Sequence, residues 1–391
     1  MQSFTYYTPT KVVFGRGVEA QAGALAKEFG AHKVLVHFGG KSARASGLLD
    51  RVAASLKEAG LGVVELGGVV PNPRLSLVRQ GIELCKKEGV DFLLAVGGGS
   101  VIDSTKAIGY GLANEGDVWD FYDHLRDPAA CMPIGCVLTI AAAGSEMSDS
   151  SVITNEEGWL KRGCNSNTCR PRFAVMDPEL TATLPAYQTA CGCTDIMMHT
   201  MERYLGRGGS MTLTDRFAVQ LVRTVMDCAL ILKDDPQNYD ARAEVMWASS
   251  LSHNGLTGCG GSGDWASHQL EHELGGMFDV AHGAGLAAVW GSWARYVLDA
   301  GPARFASLLG GLFTLPKEGD DTARALAGIE QMEAFFRSIG MPASLHELGV
   351  APTEEQMREM AEKSCWNGRR LIGGMKRLNA QDALAIYRMA L

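Results

Sequence analysis

Short apolar runs and amphipathic segments alternate through the first half of this chain. The apolar runs are KVLVHF, LGVVEL, DFLLAV and IGCVLTI, beginning at Lys33, Leu61, Asp91 and Ile134, and amphipathic segments lie near 17–29, 46–60, 74–88 and 100–112. Continuous apolar runs are typical of strands that are buried on both faces. Their alternation with helices predicts βαβ units and a doubly wound, mainly parallel sheet.

The second half has a different pattern. From Pro185 onward the β-branched runs fade, and long stretches with helical periodicity replace them, for example Asp215–Leu232 and Tyr239–Ser252. We therefore predict an α/β domain over residues 1–185 and an all-helical domain over residues 186–391. The boundary is expected in the segment Asp177–Gln188, which contains two prolines.

Composition excludes several classes of protein. The net charge is −8 and there is no run of Lys or Arg, which argues against nucleic acid as a partner. No basic segment followed by an apolar one opens the sequence, and no apolar run reaches about 18 residues, so we expect no signal peptide and no membrane partner. The ten cysteines form no C-x-x-C pair, which favours free thiols in a reducing cytoplasm.

Two glycine-rich turns follow predicted strands. Gly97-Gly98-Gly99-Ser100 comes after DFLLAV and opens a helix, and Gly39-Gly40-Lys41-Ser42 comes after KVLVHF. Glycine lets the backbone approach a phosphate closely, and a helix N-terminus offers N–H donors to it. Both turns are expected at the carboxyl edge of the sheet, where open α/β sheets bind ligands. The alternative is that the glycines serve only the conformation of tight turns.

A third segment, Thr139–Ser148, follows the strand IGCVLTI. Its residues are mostly small or hydroxylated. We expect it to line the same crevice as the two glycine-rich turns.

Histidines and one aspartate indicate a metal site in the helical half. Asp195 and His199 are four residues apart, as are His268 and His272, and His282 follows ten residues later among small residues. Side chains at i and i+4 share one helical face. Two such pairs place carboxylate and imidazole around one point, a combination that suits a divalent transition metal. The alternative is a set of unrelated polar helix residues.

The segment His268–His272 also matches a second pattern. H-x-x-E-H is typical of inverted zinc peptidases, in which the two histidines bind zinc and Glu271 is the base. That hypothesis leaves Asp195, His199 and His282 without a role, and both glycine-rich turns as well.

Motifs in a fixed order along nearly the whole chain resemble those of the iron-containing (group III) alcohol dehydrogenases, most closely their butanol-dehydrogenase-like, aldehyde-reducing branch. They are VVFG near the start, PNP at Pro71–Pro73, GGGSVID at Gly97–Asp103, GSEM at Gly144–Met147, FAVMDPELTATLP at Phe173–Pro185, DxxxH at Asp195–His199, NYDARAEVMWAS at Asn238–Ser249, and DWASHQLEHEL with the final AHG.

The resemblance implies roles for individual residues. Asp195, His199, His268 and His282 would be the metal ligands, with His272 close to the site but not a ligand. The nicotinamide cofactor would be bound by the two turns and by residues from the PNP, GGGSVID and GSEM motifs and beyond. These cofactor-binding residues would be Gly39, Gly40, Lys41, Ser42, Asn72, Gly98, Gly99, Ser100, Asp103, Thr139, Ser145 and Lys161.

The chemistry implied is the reduction of a small aldehyde. The nicotinamide supplies the hydride and the metal polarises the carbonyl oxygen as a Lewis acid. His272 either relays a proton to the product or orients a ligand. Imidazole with carboxylate suits Fe²⁺, although Zn²⁺ binds the same ligands more tightly. A non-catalytic nucleotide sensor on this fold is the alternative, but it would not need a metal with an open position.

The sequence also bears on cofactor choice and substrate. No acid lies between Gly39 and Ser46, so NADP(H) is allowed beside NAD(H). Hydroxyls at Ser148, Ser150 and Ser151, with Arg170, favour a small polar or anionic aldehyde. The resemblance further implies a homodimer, formed through the N-terminal strand.

Overall fold

The computed structural model describes residues 2–206 and 211–391. Within them the chain divides into two compact units. One spans Tyr7–Leu184, and the other comprises Pro185–Leu391 with the first residues up to Tyr6. None of the described helices is long and apolar enough to cross a membrane.

The unit Tyr7–Leu184 is built on a parallel sheet of six strands in the order β1-β8-β5-β4-β2-β3. The strands are β1 (Lys11–Phe14), β2 (Lys33–Phe38), β3 (Gly62–Leu66), β4 (Phe92–Gly97), β5 (Ile134–Leu138) and β8 (Phe173–Met176). The predicted α/β fold with a mainly parallel sheet is confirmed. The four apolar runs form four of these strands.

Helices cover both faces of this sheet. They are α1 (Ala22–Glu28), α2 (Ser42–Ala45), α3 (Leu48–Glu58), α4 (Leu75–Glu88), α5 (Gly99–Ala113) and α6 (Trp119–Tyr122). Alternate residues of a strand point to opposite faces. Accordingly, Val34 and Val36 of β2 pack with α1 and α3, whereas Leu35 packs with α4 and α5. Burial on both faces is the reason these strands read as unbroken apolar runs.

An antiparallel hairpin follows β5. The sequence analysis did not predict this hairpin. It consists of β6 (Ser150–Asn155) and β7 (Leu160–Asn165) and forms a separate two-stranded sheet. Its strands contain few long apolar side chains, so they lack the continuous runs that mark the central sheet.

The unit containing Pro185–Leu391 is mostly helical, as predicted. Its helices are α7 (Ala186–Leu205), α8 (Thr212–Asp234), α9 (Tyr239–His253), α10 (Ala266–Phe278), α11 (His282–Val297), α12 (Pro302–Leu312), α13 (Asp321–Ser338), α14 (Glu354–Ser364) and α15 (Ala380–Met389). The indole rings of Trp290 and Trp293 on α11 are fully buried in its core. Local sequence sets the helix ends; for example, Asn238 caps α9 by accepting the N–H of Ala241 at 3.1 Å.

Candidate metal centre and cofactor-binding edge

Helix α7 places Asp195 and His199 on one buried face. The two side chains are one turn apart, and Nδ1 of His199 lies 3.1 Å from Oδ1 of Asp195. Nearly all of this helix after Ala190 is buried. The polar pair is therefore held inside the helical unit, where solvent does not compete for it.

Two further helices bring histidines to this pair. His268 lies in the first turn of α10, and His282 is the first residue of α11. The glycine after His282 makes the close approach possible, since a Cβ on Gly283 would lie 2.1 Å from the carbonyl oxygen of Cys191 on α7. The small residues beside His282 thus let α11 begin directly against the backbone of α7.

The resulting distances suit a single cation. Oδ1 of Asp195 lies 3.6 Å from Nε2 of His268 and 3.6 Å from Nε2 of His282, and one donor atom from each of these three residues lies within 4.8 Å of the others. The ring of His199 lies 4.5 Å from that of His268. Ligands about 2.1 Å from a tetrahedral metal are about 3.4 Å from one another. The spacings around Asp195 match that figure.

Unpaired buried atoms support the same fit. Within the described residues, Oδ1 of Asp195, Nδ1 of His199 and Nε2 of His268 are buried without a hydrogen-bond partner. Their mutual distances are short, but the geometry is not that of hydrogen bonds. Buried polar atoms are otherwise almost always paired. A divalent cation would satisfy all three, so the residues present fit a metal.

The electrostatics of the cluster follow from burial and mutual contact. Burial would raise the pKa of Asp195, but His199 and His282 hold it well below its ordinary value. Burial lowers the pKa of His199 to about 4. Burial acts in the same direction on His268, yet Glu202 outweighs it and raises that pKa to about 9. A cation at His268 therefore replaces a proton, which makes binding depend on pH.

Two carboxylates contact the cluster that the sequence analysis did not assign to it. Glu202 makes a short hydrogen bond with Nδ1 of His268, and Glu271 makes one with Nδ1 of His282. Helical spacing gave a signal for the first, because Glu202 is three residues after His199 on α7. Glu271 had been considered only as the base of a peptidase.

His272 lies beside the cluster but outside the Asp195 contacts. It is half-buried on α10, and its ring lies 5.9 Å from that of His282 and 6.5 Å from that of His268. One of its ring nitrogens is within 4.8 Å of donor atoms of Glu271 and His282.

In the α/β unit, the two glycine-rich turns lie at the same edge of the sheet. β2 and β4 are parallel neighbours, with Phe38 opposite Val96, so the turns that begin at Gly39 and Gly98 lie side by side. β5 pairs with β4 on its other side, and the N–H of Thr139 donates to Gly97 at 3.1 Å. From β2 the chain proceeds outward to β3, and from β4 it proceeds the opposite way to β5. The turns therefore flank the switch point at which such sheets bind ligands.

Within these turns the glycines differ in their surroundings. A Cβ on Gly98 would lie 2.8 Å from Cβ of Ile140, and one on Gly99 would lie 3.0 Å from Cβ of Ala143. The second turn is more open, since a Cβ on Gly40 would meet nothing within 4 Å. Lys41 and Ser42 beside it are exposed.

Asp103 and Ser145 bond to each other. Oγ of Ser145 donates to Oδ1 of Asp103 at 2.5 Å, and Oδ2 of Asp103 accepts the N–H of Val152 at 2.9 Å. The ammonium of Lys106, whose side chain is fully buried, lies 3.0 Å from the same Oγ. Both residues thus belong to a network that fixes the segment after β5 onto α5.

Asn72 and Lys161 lie on neighbouring segments. Asn72 is buried with a left-handed φ of 54°, between two prolines. The N–H of Thr154 on β6 donates to the carbonyl of Pro73 at 2.7 Å, and Thr154 pairs across the hairpin with Lys161.

The side chains that suggested a polar substrate are engaged inside this unit. Oγ of Ser151 donates to the carbonyl of Asp103 at 2.9 Å and also bonds Tyr122, while Ser148 lies 3.2 Å from Nζ of Lys106. The guanidinium of Arg170 is buried and donates to the carbonyl of Met147 at 2.6 Å. Three of the four side chains behind the expectation of a polar or anionic aldehyde, those of Ser148, Ser151 and Arg170, thus already have partners within this unit.

Comparison with known proteins identifies the family. A model of the iron-containing alcohol dehydrogenases matches residues 9–178, and a model of the C-terminal region of the same family matches residues 189–391. A protein named probable NADH-dependent butanol dehydrogenase 2, from Bacillus subtilis, is 42% identical over all of both chains. The chain belongs to the iron-containing alcohol dehydrogenase family. It is an oxidoreductase, and the predicted resemblance is confirmed.

Two more members of this family place the chain within it. The NADPH-dependent aldehyde reductase of Escherichia coli is 36% identical, over 90% of each chain. The solved structure of NADH-dependent butanol dehydrogenase A from Thermotoga maritima is 37% identical, with a TM-score of 0.95 over 100% of this chain and 99% of that one. These comparisons give no support to a peptidase or a non-catalytic sensor. Glu271, the base that a peptidase needs, is instead buried against His282.

Proposed function

We propose that this iron-type dehydrogenase reduces small alkyl aldehydes to alcohols with a nicotinamide dinucleotide, at a metal held by Asp195, His199, His268 and His282. The single observation that supports it most is the spacing of 3.1 to 3.6 Å between Oδ1 of Asp195 and three imidazole nitrogens. When bound, the metal supplies Lewis-acid polarisation of the carbonyl and the nicotinamide supplies hydride.

The chain's own residues have distinct tasks in this proposal. Asp195 is the only charged group among the four proposed ligands, so these ligands cancel one of the two positive charges of a divalent ion. His272 is half-exposed, and its ring lies 5.9 Å from that of His282. That position suits donation of a proton from a ring nitrogen to the product oxygen.

We infer that the cofactor pyrophosphate lies at the turn formed by Gly98, Gly99 and Ser100, where α5 begins. Its N–H groups and the positive end of the helix dipole favour a phosphate. The exposed Lys41 and Ser42 of the neighbouring turn are suited to a 2′-phosphate, so NADPH is accepted beside NADH. The curated relatives include examples named for each cofactor.

Fe²⁺ is the metal that we propose, in keeping with the family. Zn²⁺ binds imidazole and carboxylate more tightly than Fe²⁺, so purified protein can carry it instead. The activity assay therefore uses protein loaded with a single known metal.

The substrate proposed is a short alkyl aldehyde. The support for it is that several relatives are named butanol dehydrogenases. Reduction is the proposed direction, since NADPH pools favour it. A panel of aldehydes and alcohols, followed by the absorbance of the reduced nicotinamide at neutral pH, tests both points. A preference for oxidising alcohols with NAD⁺ would contradict the direction, and the absence of turnover with every aldehyde would contradict the activity.

We also propose a homodimer in the cytoplasm. Among the described residues, β1 pairs only with β8, which leaves its outer edge for another strand, and Phe14 on it is 40% exposed. The ten cysteines are all free, as in a reducing compartment. The N–H groups of Lys11 and Gly15 donate to the strand on the inner side, so the N–H of Val12 faces the outer edge. The mass in solution, measured by light scattering for the native chain and for Val12→Pro on β1, tests the dimer: the variant should be monomeric.

A further inference from the structure

Glu202 contacts His268 with both of its carboxylate oxygens. Oε2 makes the short bond to Nδ1 of the imidazole, and Oε1 accepts the backbone N–H groups of Ser267 at 2.9 Å and of His268 at 3.3 Å. The side chain is fully buried. One carboxylate on α7 thus orients the ring of His268 and also caps the first turn of α10. The N-terminus of a helix favours a negative charge at this position.

Glu271 contacts His282 in a simpler way. Its Oε2 bonds Nδ1 of the imidazole, and its side chain is also fully buried. Space for it comes from a glycine on α11, because a Cβ on Gly285 would lie 2.9 Å from Cγ of Glu271. Two separate helices therefore each provide a buried carboxylate to one histidine of the cluster.

The two contacts have the same consequence for the imidazoles. An ionised carboxylate only accepts hydrogen bonds, so each bonded Nδ1 must carry the proton. A bound metal then takes the lone pair of each Nε2, in place of a proton at His268, and these Nε2 atoms are the ones that lie 3.6 Å from Oδ1 of Asp195. Carboxylates in this position fix the tautomer and orientation of a metal-binding histidine and increase its basicity.

We propose that Glu202 and Glu271 are positioning residues that determine how tightly the site holds its metal, and that Glu202 also stabilises the metal-free fold. The inference rests on the metal site proposed above. Because Oε1 of Glu202 caps α10, loss of its charge weakens both metal binding and the helix start.

Binding of Co²⁺ to the metal-free full-length protein tests this, because Co²⁺ has visible absorption that reports its ligands. The variants are Glu202→Gln and Glu271→Gln, which keep the shape and remove the charge. Glu273→Gln is the matched control, since Glu273 is buried on α10 two residues from Glu271. Competition with a chelator gives the dissociation constant, and chemical unfolding of the metal-free proteins gives their stability.

We expect Glu271→Gln and Glu202→Gln to raise the Co²⁺ dissociation constant about 10- to 100-fold, with a shifted absorption band. Glu273→Gln should leave the dissociation constant within about twofold of the native value and the absorption band unchanged. Metal-free Glu202→Gln should unfold earlier than the native chain, because the first turn of α10 loses the charge that caps it.

Three results would count against the inference. An unchanged Co²⁺ constant for Glu271→Gln overturns it even if Glu202→Gln does not fold. An equal loss of affinity for Glu273→Gln shows that any buried acid on α10 has this effect. If the native chain itself binds no Co²⁺, the proposed metal site is wrong. That outcome is distinct from failure of the present inference, because the native chain alone shows it.

Discussion

Nε2 of His37 lies 2.9 Å from Oγ of Ser104, and this contact joins β2 to α5. Nδ1 of the same ring donates to the carbonyl of Leu66 on β3 at 2.8 Å. The imidazole is fully buried, and burial lowers its pKa to about 4. One neutral side chain therefore connects the two elements whose turns are proposed to bind the cofactor.

The depressed pKa of His37 predicts acid sensitivity. Below pH 6.5 the unfolded chain takes up a proton that the folded chain refuses until about pH 4. The free energy of unfolding should therefore fall by about 3 kcal/mol as the pH drops through this window. Urea unfolding of the native chain and of His37→Gln at several pH values measures it: the variant is less stable above pH 7, and the difference shrinks towards pH 4.

A constant difference between the native chain and His37→Gln from pH 8 to pH 4 would contradict the prediction.

The buried ammonium of Lys106 predicts a large loss of stability on substitution. Nζ lies within 3.2 Å of five oxygen atoms, those of the carbonyls and hydroxyls of Ser145 and Ser148 and of the carbonyl of Ser150. Lys106→Met leaves these acceptors buried without their donor, at a cost on the order of 3 kcal/mol. Thermal unfolding checks it against Lys57→Met, an exposed lysine on α3; equal melting temperatures would refute it.

The open turn at Gly40 predicts a change in cofactor choice. Gly40→Asp has space for its side chain and places an acid where NAD-specific sheets have one, which repels a 2′-phosphate. We expect KM for NADPH to rise about tenfold or more, because the new carboxylate repels the 2′-phosphate, while KM for NADH changes little. Gly40→Asn is the neutral control of equal size. If both variants raise the two constants alike, Lys41 and Ser42 do not face a 2′-phosphate.

The engaged serines predict preference for an apolar substrate. Butanal should have a kcat/KM at least about tenfold above that of an anionic aldehyde of similar length, because the hydroxyls of Ser148 and Ser151 are already bonded within their own unit. Steady-state kinetics with both aldehydes decides it. A clear preference for the anionic aldehyde would restore the expectation drawn from the sequence.

Sequence patterns predicted helices and strands well where buried side chains recur at a regular spacing along the chain. The run KVLVHF became β2 because both of its faces are buried, and the pair Asp195 and His199 lies on one helical face because the spacing requires it. The patterns say less about which partner a polar side chain finds. Ser148 and Ser151 are bonded to residues far away in the sequence, including Lys106 and Tyr122, and only the fold reveals that.

Close approach was equally invisible in the sequence. The sequence analysis explained Gly98 by the close approach of a phosphate, yet a Cβ there would also lie 2.8 Å from Cβ of Ile140. Glu271 matched a peptidase motif, but in the fold its carboxylate bonds the imidazole of His282. Such contacts join separate segments, and no local period in the sequence records them.

The metal content of the chain tests the central claim most directly. The native protein and the variants His268→Ala and His282→Ala are loaded with Fe²⁺ or Zn²⁺, passed through a desalting column, and analysed for metal per chain, with circular dichroism as the check on folding. The account predicts one metal per native chain and almost none in either folded variant. Full occupancy in either variant would contradict it.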